Sequence, residues 1–115
     1  TRFTMDDESI VSARLRRQGG IEVLAPEPAD RDEVHRVIFD ELCRGVIDDR
    51  SRAGYVAVIE RLRGRGAQGV ILGCTEIALL IDAAISPLPD FDSTALHAAA
   101  AAEWMLQDPS TGDGP

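Results

Sequence analysis

The sequence predicts an α/β lobe of three layers, α/β/α, with a small, mostly parallel sheet that lacks its first strand. Three observations predict it. Helical periodicities alternate with short apolar or alternating runs along the chain, the pattern of strands joined by crossover helices. The runs at residues 21–24 and 69–72 are rich enough in Ile, Val and Leu to be buried on both faces. The first helical pattern opens close behind Thr1 with no strand to feed it, so a strand is expected just ahead of Thr1.

Each element has its own signal. Thr4-Met5-Asp6-Asp7 reads as a capping box for a first helix, with Val11 and Leu15 on one face and Gly19-Gly20 ending it. Residues 21–24 then read as a short strand, closed by Pro26, which removes a ladder donor. Asp30-Arg31-Asp32-Glu33 is a second capping box, and Val34, Ile38 and Leu42 recur every fourth residue up to Gly45.

After the polar turn Asp48-Asp49-Arg50-Ser51, Tyr55, Val58, Ile59 and Leu62 form one apolar stripe, while Arg61, Arg63 and Arg65 face mostly water. Gly64 and Gly66 stop that helix, the 69–72 strand follows, and a short helix is expected from Thr75 to about Ile81. Residues 87–92 allow one more extended piece. Ser93 is expected to cap a last helix with Leu96, Ala100 and Trp104 on one face.

With 115 residues there is one domain at most, and no initiator Met precedes Thr1, so the chain reads as a fragment. Residues 1–92 form the expected lobe, 93–107 a terminal helix, and 108–115 a polar Gly/Pro-rich tail expected to stay flexible. Twenty acidic residues against twelve arginines leave a net charge of −8, and no basic stripe is interleaved with aromatics. Nucleic acid and anionic membrane are therefore not expected as partners. The longest apolar runs fall far short of the roughly twenty residues that span a bilayer, so a cytoplasmic protein is expected. Two cysteines in different contexts are too few for a disulfide scaffold and fit a reducing compartment.

The chemistry concentrates at Gly73-Cys74-Thr75-Glu76. An apolar strand delivers a thiol into a turn that opens a helix, where free N–H groups favour thiolate and a pKa below roughly 8.5. A buried, inert cysteine is the competing reading. A cysteine phosphatase needs an arginine six residues on, where Leu80 stands, and a phosphate loop needs a lysine that this loop lacks. His35, His97, Cys43 and Cys74 have no metal-ligand spacing, and both histidines read as packing or capping residues. In open parallel sheets ligands bind beyond the carboxyl ends of the strands, where Cys74 and the stretch from Thr1 to Thr4 both fall.

Gly73-Cys74-Thr75-Glu76-Ile77 with Leu79-Leu80, Thr1-x-x-Thr4-Met5, Asp40-Glu41-Leu42-x-x-Gly45 and Asp92-Ser93-Thr94-x-Leu96-His97-Ala98 together resemble the cofactor-independent aspartate/glutamate racemase family. The resemblance spans nearly the whole chain and points to the C-terminal lobe of that two-lobed enzyme, with the last helix returning to the first lobe. It implies two cysteines facing each other across the substrate α-carbon, with Cys74 as the second, and no cofactor. The first, carried by the family in a Cys-Asn-Thr motif of its N-terminal lobe, is absent here, so the chain alone is expected to be inactive.

The implied substrate is a small acidic amino acid, and the implied partners are that N-terminal lobe and, as an open alternative, further copies of the chain. Thr75 either offers its hydroxyl and N–H to the substrate carboxylate or caps the helix. Glu76 either binds the substrate ammonium or orients Cys74, although a negative neighbour also raises a thiol pKa. Thr1 and Thr4 match the family's T-x-x-T stretch near the substrate, and Arg44 falls near its basic side chain for the distal carboxylate or is a plain surface charge. Cys43 reads as a small apolar filler. Ser93 stands where the family often has threonine and Ala78 where it often has proline. A single-thiol decarboxylase or isomerase of the same fold, and a non-catalytic association domain, remain as alternatives.

Overall fold

A computed structural model describes Met5 and residues 9–107. The Thr4–Asp7 capping box lies outside the described residues, Met5 apart. The first helix, α1, runs Ile10–Gly19, later than expected, because Ser9 supplies its cap: the Ser12 N–H donates to Ser9 Oγ at 3.2 Å. It ends where Gly20 takes φ +60° and the N–H groups of Gly20 and Ile21 close back on the carbonyls of Arg16 and Leu15.

Residues 21–24 form no strand, against expectation. The carbonyls of Val23 and Ala25 accept from the guanidinium groups of Arg16 and Arg65, at 3.5 and 2.8 Å, instead of from a neighbouring strand. Helix α2 (Pro28–Asp40) starts two residues before Asp30, since Pro28 occupies the first turn with its φ preset and no N–H to satisfy. Asp30 is thereby released from capping and accepts two hydrogen bonds from Arg61, at 2.8 and 2.6 Å. A 3-10 turn at Leu42–Arg44 carries the chain to Gly45, whose φ of +74° requires glycine.

Helix α3 (Asp49–Gly64) is capped by the Asp48 carboxylate, which accepts from the Arg50 N–H at 2.7 Å. Its Tyr55, Val58, Ile59 and Leu62 are all buried, as the i, i+3, i+4, i+7 spacing requires. They meet Val34, Val37 and Ile38 of α2, with Leu42, Leu72, Leu80 and Ile81 completing the core. The buried Tyr55 hydroxyl donates to the Val34 carbonyl at 2.9 Å, tying α3 to α2.

Strands β1 (Val70–Leu72) and β2 (Asp90–Asp92) pair in parallel, with Val70, Ile71 and Leu72 opposite Asp90, Phe91 and Asp92. The fold is α/β with a small parallel sheet. Alternation sends Leu72 into the core and leaves Ile71 and Phe91 about half exposed on the opposite face. Helix α4 (Ser93–Leu106) leaves β2 directly, and its cap is Asp92, not Ser93: the Asp92 carboxylate accepts from the N–H groups of Thr94 and Ala95. The Ser93 hydroxyl instead donates to the Leu72 carbonyl at 2.9 Å, pinning the start of α4 to the end of β1. No residue of α4 is buried. Among the described residues no helix is long and apolar enough to cross a membrane.

Candidate active site

The loop that leaves β1 carries the candidate residues. Gly73 releases the chain from the strand, and Cys74 follows, half-buried with one side against the core. The expected helix from Thr75 is reduced to a single 3-10 turn, Ile77–Leu79, whose cap position is Glu76 and which has no side-chain cap. Thr75 therefore caps nothing. Of the aligned N–H groups expected to favour a thiolate, the Glu76 backbone N–H is the one that bonds the sulfur.

The Glu76 carboxylate also stands next to the sulfur. The Cys74 thiol donates to Glu76 Oε2 at 2.8 Å. Burial, and then this hydrogen bond to the carboxylate, push the Cys74 thiol above its ordinary pKa, which reverses the direction expected from a helix N-terminus. Glu76 itself is held below the usual carboxylate range by hydrogen bonds from the Cys74 thiol, the Thr75 side chain and a backbone N–H. Cys74, Thr75 and Glu76 thus form one hydrogen-bonded unit.

Behind the unit stands Tyr55. Burial chiefly, and then the charge of Cys74, raise the phenol above its ordinary range. Glu33 and Glu41 push in the same direction and Arg36 opposes them. Arg36 bridges those two carboxylates at 2.7 and 2.8 Å, and the Ser51 hydroxyl donates to the other oxygen of Glu41. Arg52 steadies the far side of the loop by donating to the Leu80 carbonyl at 3.1 Å. Sequence reasoning missed Tyr55 and Ser93 as neighbours of the site, because each already had a sufficient local role, one in the apolar stripe and the other as a cap.

The remaining candidates fall elsewhere. Thr1 and Thr4 lie outside the described residues. Arg44 is exposed and makes no ion pair among the described residues. Cys43 is exposed on the 3-10 turn after α2 and is no apolar filler, because the turn rotates it away from the buried Leu42. His97 is exposed on α4 and is not a core packing residue. His35 does pack, its ring centroid 4.6 Å from that of Phe39, while its Nδ1 is buried without a hydrogen-bond partner. No group of three or more His, Cys, Asp and Glu among the described residues is placed to hold a metal ion. A cleft of about 80 Å³ opens beside β1, but its lining, Pro26, Val34, Tyr55, Ile59, Leu72 and Ile81 among others, is apolar and gives a charged substrate nothing to bind.

A family model for Asp/Glu/hydantoin racemases matches residues 1–101. The chain belongs to this racemase family. A crystal structure of a candidate Asp/Glu racemase from Yersinia pestis superposes with a TM-score of 0.85 at 48% identity, covering 93% of this chain and 46% of that one. An aspartate racemase homologue from Pyrococcus horikoshii OT3 superposes with a TM-score of 0.79 at 29% identity, covering the same shares, 93% and 46%. The chain therefore spans about half the length of these racemase-family structures.

Proposed function

We propose that this chain is the C-terminal lobe of a cofactor-independent racemase that inverts the α-carbon of aspartate or glutamate, with Cys74 as one of two acid/base thiols. The reading is carried by the Cys74–Glu76 unit at the exit of β1 in a chain of the racemase family. Inversion without an imine cofactor needs a base on one face of the α-carbon and an acid on the other. This chain offers one thiol at a strand end, and its other cysteine, Cys43, is exposed in the turn after α2. The opposite group then comes from an N-terminal lobe, and α4 is the helix that returns to it. Residues 1–92 form the lobe proper, and the isolated chain is inactive. Thr75, Thr1, Thr4 and Arg44 complete the substrate site, Arg44 as the cation for the distal carboxylate. Two unpaired thiols suit a reducing cytoplasm.

The test replaces the matching half of the Yersinia pestis protein with this chain and incubates the chimera with each enantiomer of aspartate and glutamate in deuterated water. The expected result is racemisation with deuterium at the α-carbon, abolished by Cys74→Ser and absent from the isolated chain. A folded chimera that exchanges no α-hydrogen refutes the proposal, and one that releases carbon dioxide makes it a single-thiol decarboxylase. The exposed α4 favours a second reading, association alone, which a folded but chemically silent chimera would support.

A further inference from the structure

We propose that Glu76 holds Cys74 as the protonated thiol in the resting site, so that this lobe returns a proton to the α-carbon while the facing lobe removes one. The inference rests on the racemase reading above and names which of the two acid/base groups this lobe supplies first. The carboxylate oxygen lies 2.8 Å from Sγ, within two residues on the same loop. If the thiol ionised there, two negative charges would stand in contact, and like charges at that distance disfavour the second ionisation.

Among the described residues, the Glu76 backbone N–H opposes this by donating to the sulfur, and the carboxylate outweighs it. The Ile77–Leu79 turn is too short to present a helix N-terminus. From α3, the Tyr55 phenol is spent on the Val34 carbonyl, and Arg52 is spent on the Leu80 carbonyl and Asp49. From α2 and its end, Arg36 is bound between Glu33 and Glu41, so the charge on that side is balanced or negative. Glu76 stays ionised because the Thr75 side chain also donates to it. One proton is shared by the pair, and sulfur keeps it.

In turnover the balance is simple. The α C–H bond breaks, with its proton going to the facing base, and the Cys74 S–H proton passes to the other face of the carbanion, leaving a thiolate; the resting site returns when the facing group releases its proton to solvent and Cys74 takes one up. Glu76 is a positioning residue in this scheme, acting through the thiol.

Iodoacetamide alkylation of the full 115-residue chain, followed across pH by peptide-resolved mass spectrometry, tests the inference, with exposed Cys43 as internal reference on a separate peptide. Glu76→Gln is expected to lower the Cys74 midpoint by about one pH unit, giving about tenfold more thiolate near neutrality and, after the loss of nucleophilicity, about threefold faster alkylation. Cys43 is expected to be unchanged, and the difference at Cys74 to vanish in denaturant. Glu76→Asp keeps the charge and should keep most of the wild-type midpoint. An unchanged or raised midpoint in folded Glu76→Gln, or equal shifts in both variants, overturns the proposal. Alkylation reads the thiol and not turnover, so this failure is separate from a chimera that exchanges no α-hydrogen, which refutes the racemase reading alone.

Discussion

Beyond its first residue, Ser93, which is tied to the Leu72 carbonyl, helix α4 holds together on local interactions, and its amide hydrogens should exchange accordingly. Its side chains bury nothing: Leu96, Trp104, Met105 and Leu106 are 57, 74, 70 and 86% exposed. What remains is the Asp92 cap, worth about 1 kcal/mol, and the good helix propensity of the alanine run. Isolated helices shorter than about 12–15 residues are marginal in water, so opening α4 costs only about 0–1 kcal/mol. At 1.4 kcal/mol per tenfold, protection in residues 96–106 stays below about tenfold. Residues 55–62 of α3 are locked into the core and open only with the whole lobe, at about 5 kcal/mol or more, for a protection of over a thousandfold. Native-state exchange read by mass spectrometry compares the two segments in one sample. Protection above about a hundredfold in residues 96–106, in a chain shown by light scattering to be monomeric, would refute the reasoning. It would mean that the helix is covered by this chain's own residues.

Two further outcomes follow from Tyr55 and Cys74. Tyr55→Phe removes the donor to the Val34 carbonyl while keeping the ring, and should cost about 1 kcal/mol, seen as a lower urea midpoint with unchanged slope. A cost near zero would show that the bond is not formed in solution. Stability should also fall with alkali. Burial raises both Cys74 and Tyr55, so the folded chain keeps protons that the unfolded chain sheds above about pH 8.5 and about pH 10. The contribution of each group is fully present below those values and is lost as pH rises toward its folded pKa. Thermal midpoints should therefore drop from about pH 8.5 upward, Cys74→Ser removing the early part and Tyr55→Phe the later. A flat profile to pH 11 would contradict the burial of both groups.

The helices were legible where their signals were local. The stripe Tyr55, Val58, Ile59, Leu62 named the buried face of α3 outright, since a 3.6-residue period with a polar opposite face has one solution. Caps were less reliable, because one carboxylate or hydroxyl can serve several masters. Asp30 has the spacing of a capping residue, yet Pro28 starts α2 first and frees Asp30 for Arg61, thirty-one residues away. Ser93 has the chemistry of a cap, yet Asp92 reaches the same N–H groups one residue earlier and leaves Ser93 to hold Leu72. Residues 21–24 show the complementary limit. Their pattern is that of a strand, but a strand exists only with a partner, and the carbonyls there bond to arginines instead.

The same distinction applies to the site. That a thiol would emerge at the carboxyl end of a strand followed from Gly69–Gly73 alone, and the loop does place Cys74 there beside Thr75 and Glu76, although the strand is buried on one face only, with Ile71 about half exposed. The protonation of that thiol did not follow, because it depends on whether residues 75–81 wind into a helix or a single 3-10 turn. The two outcomes have opposite electrostatics: a full helix would aim partial positive charge at sulfur, whereas the short turn leaves the Glu76 carboxylate as its nearest charge. Propensity decides weakly between them, since Ile77 and the other apolar residues of this stretch accept either geometry. Burial decides more strongly, as Leu80 and Ile81 are almost fully withdrawn from water and fix the turn from its far end. The acid/base character of Cys74 is thus set by the packing of two leucine-sized side chains six and seven residues downstream, a tertiary effect that the Gly-Cys-Thr-Glu stretch does not carry by itself.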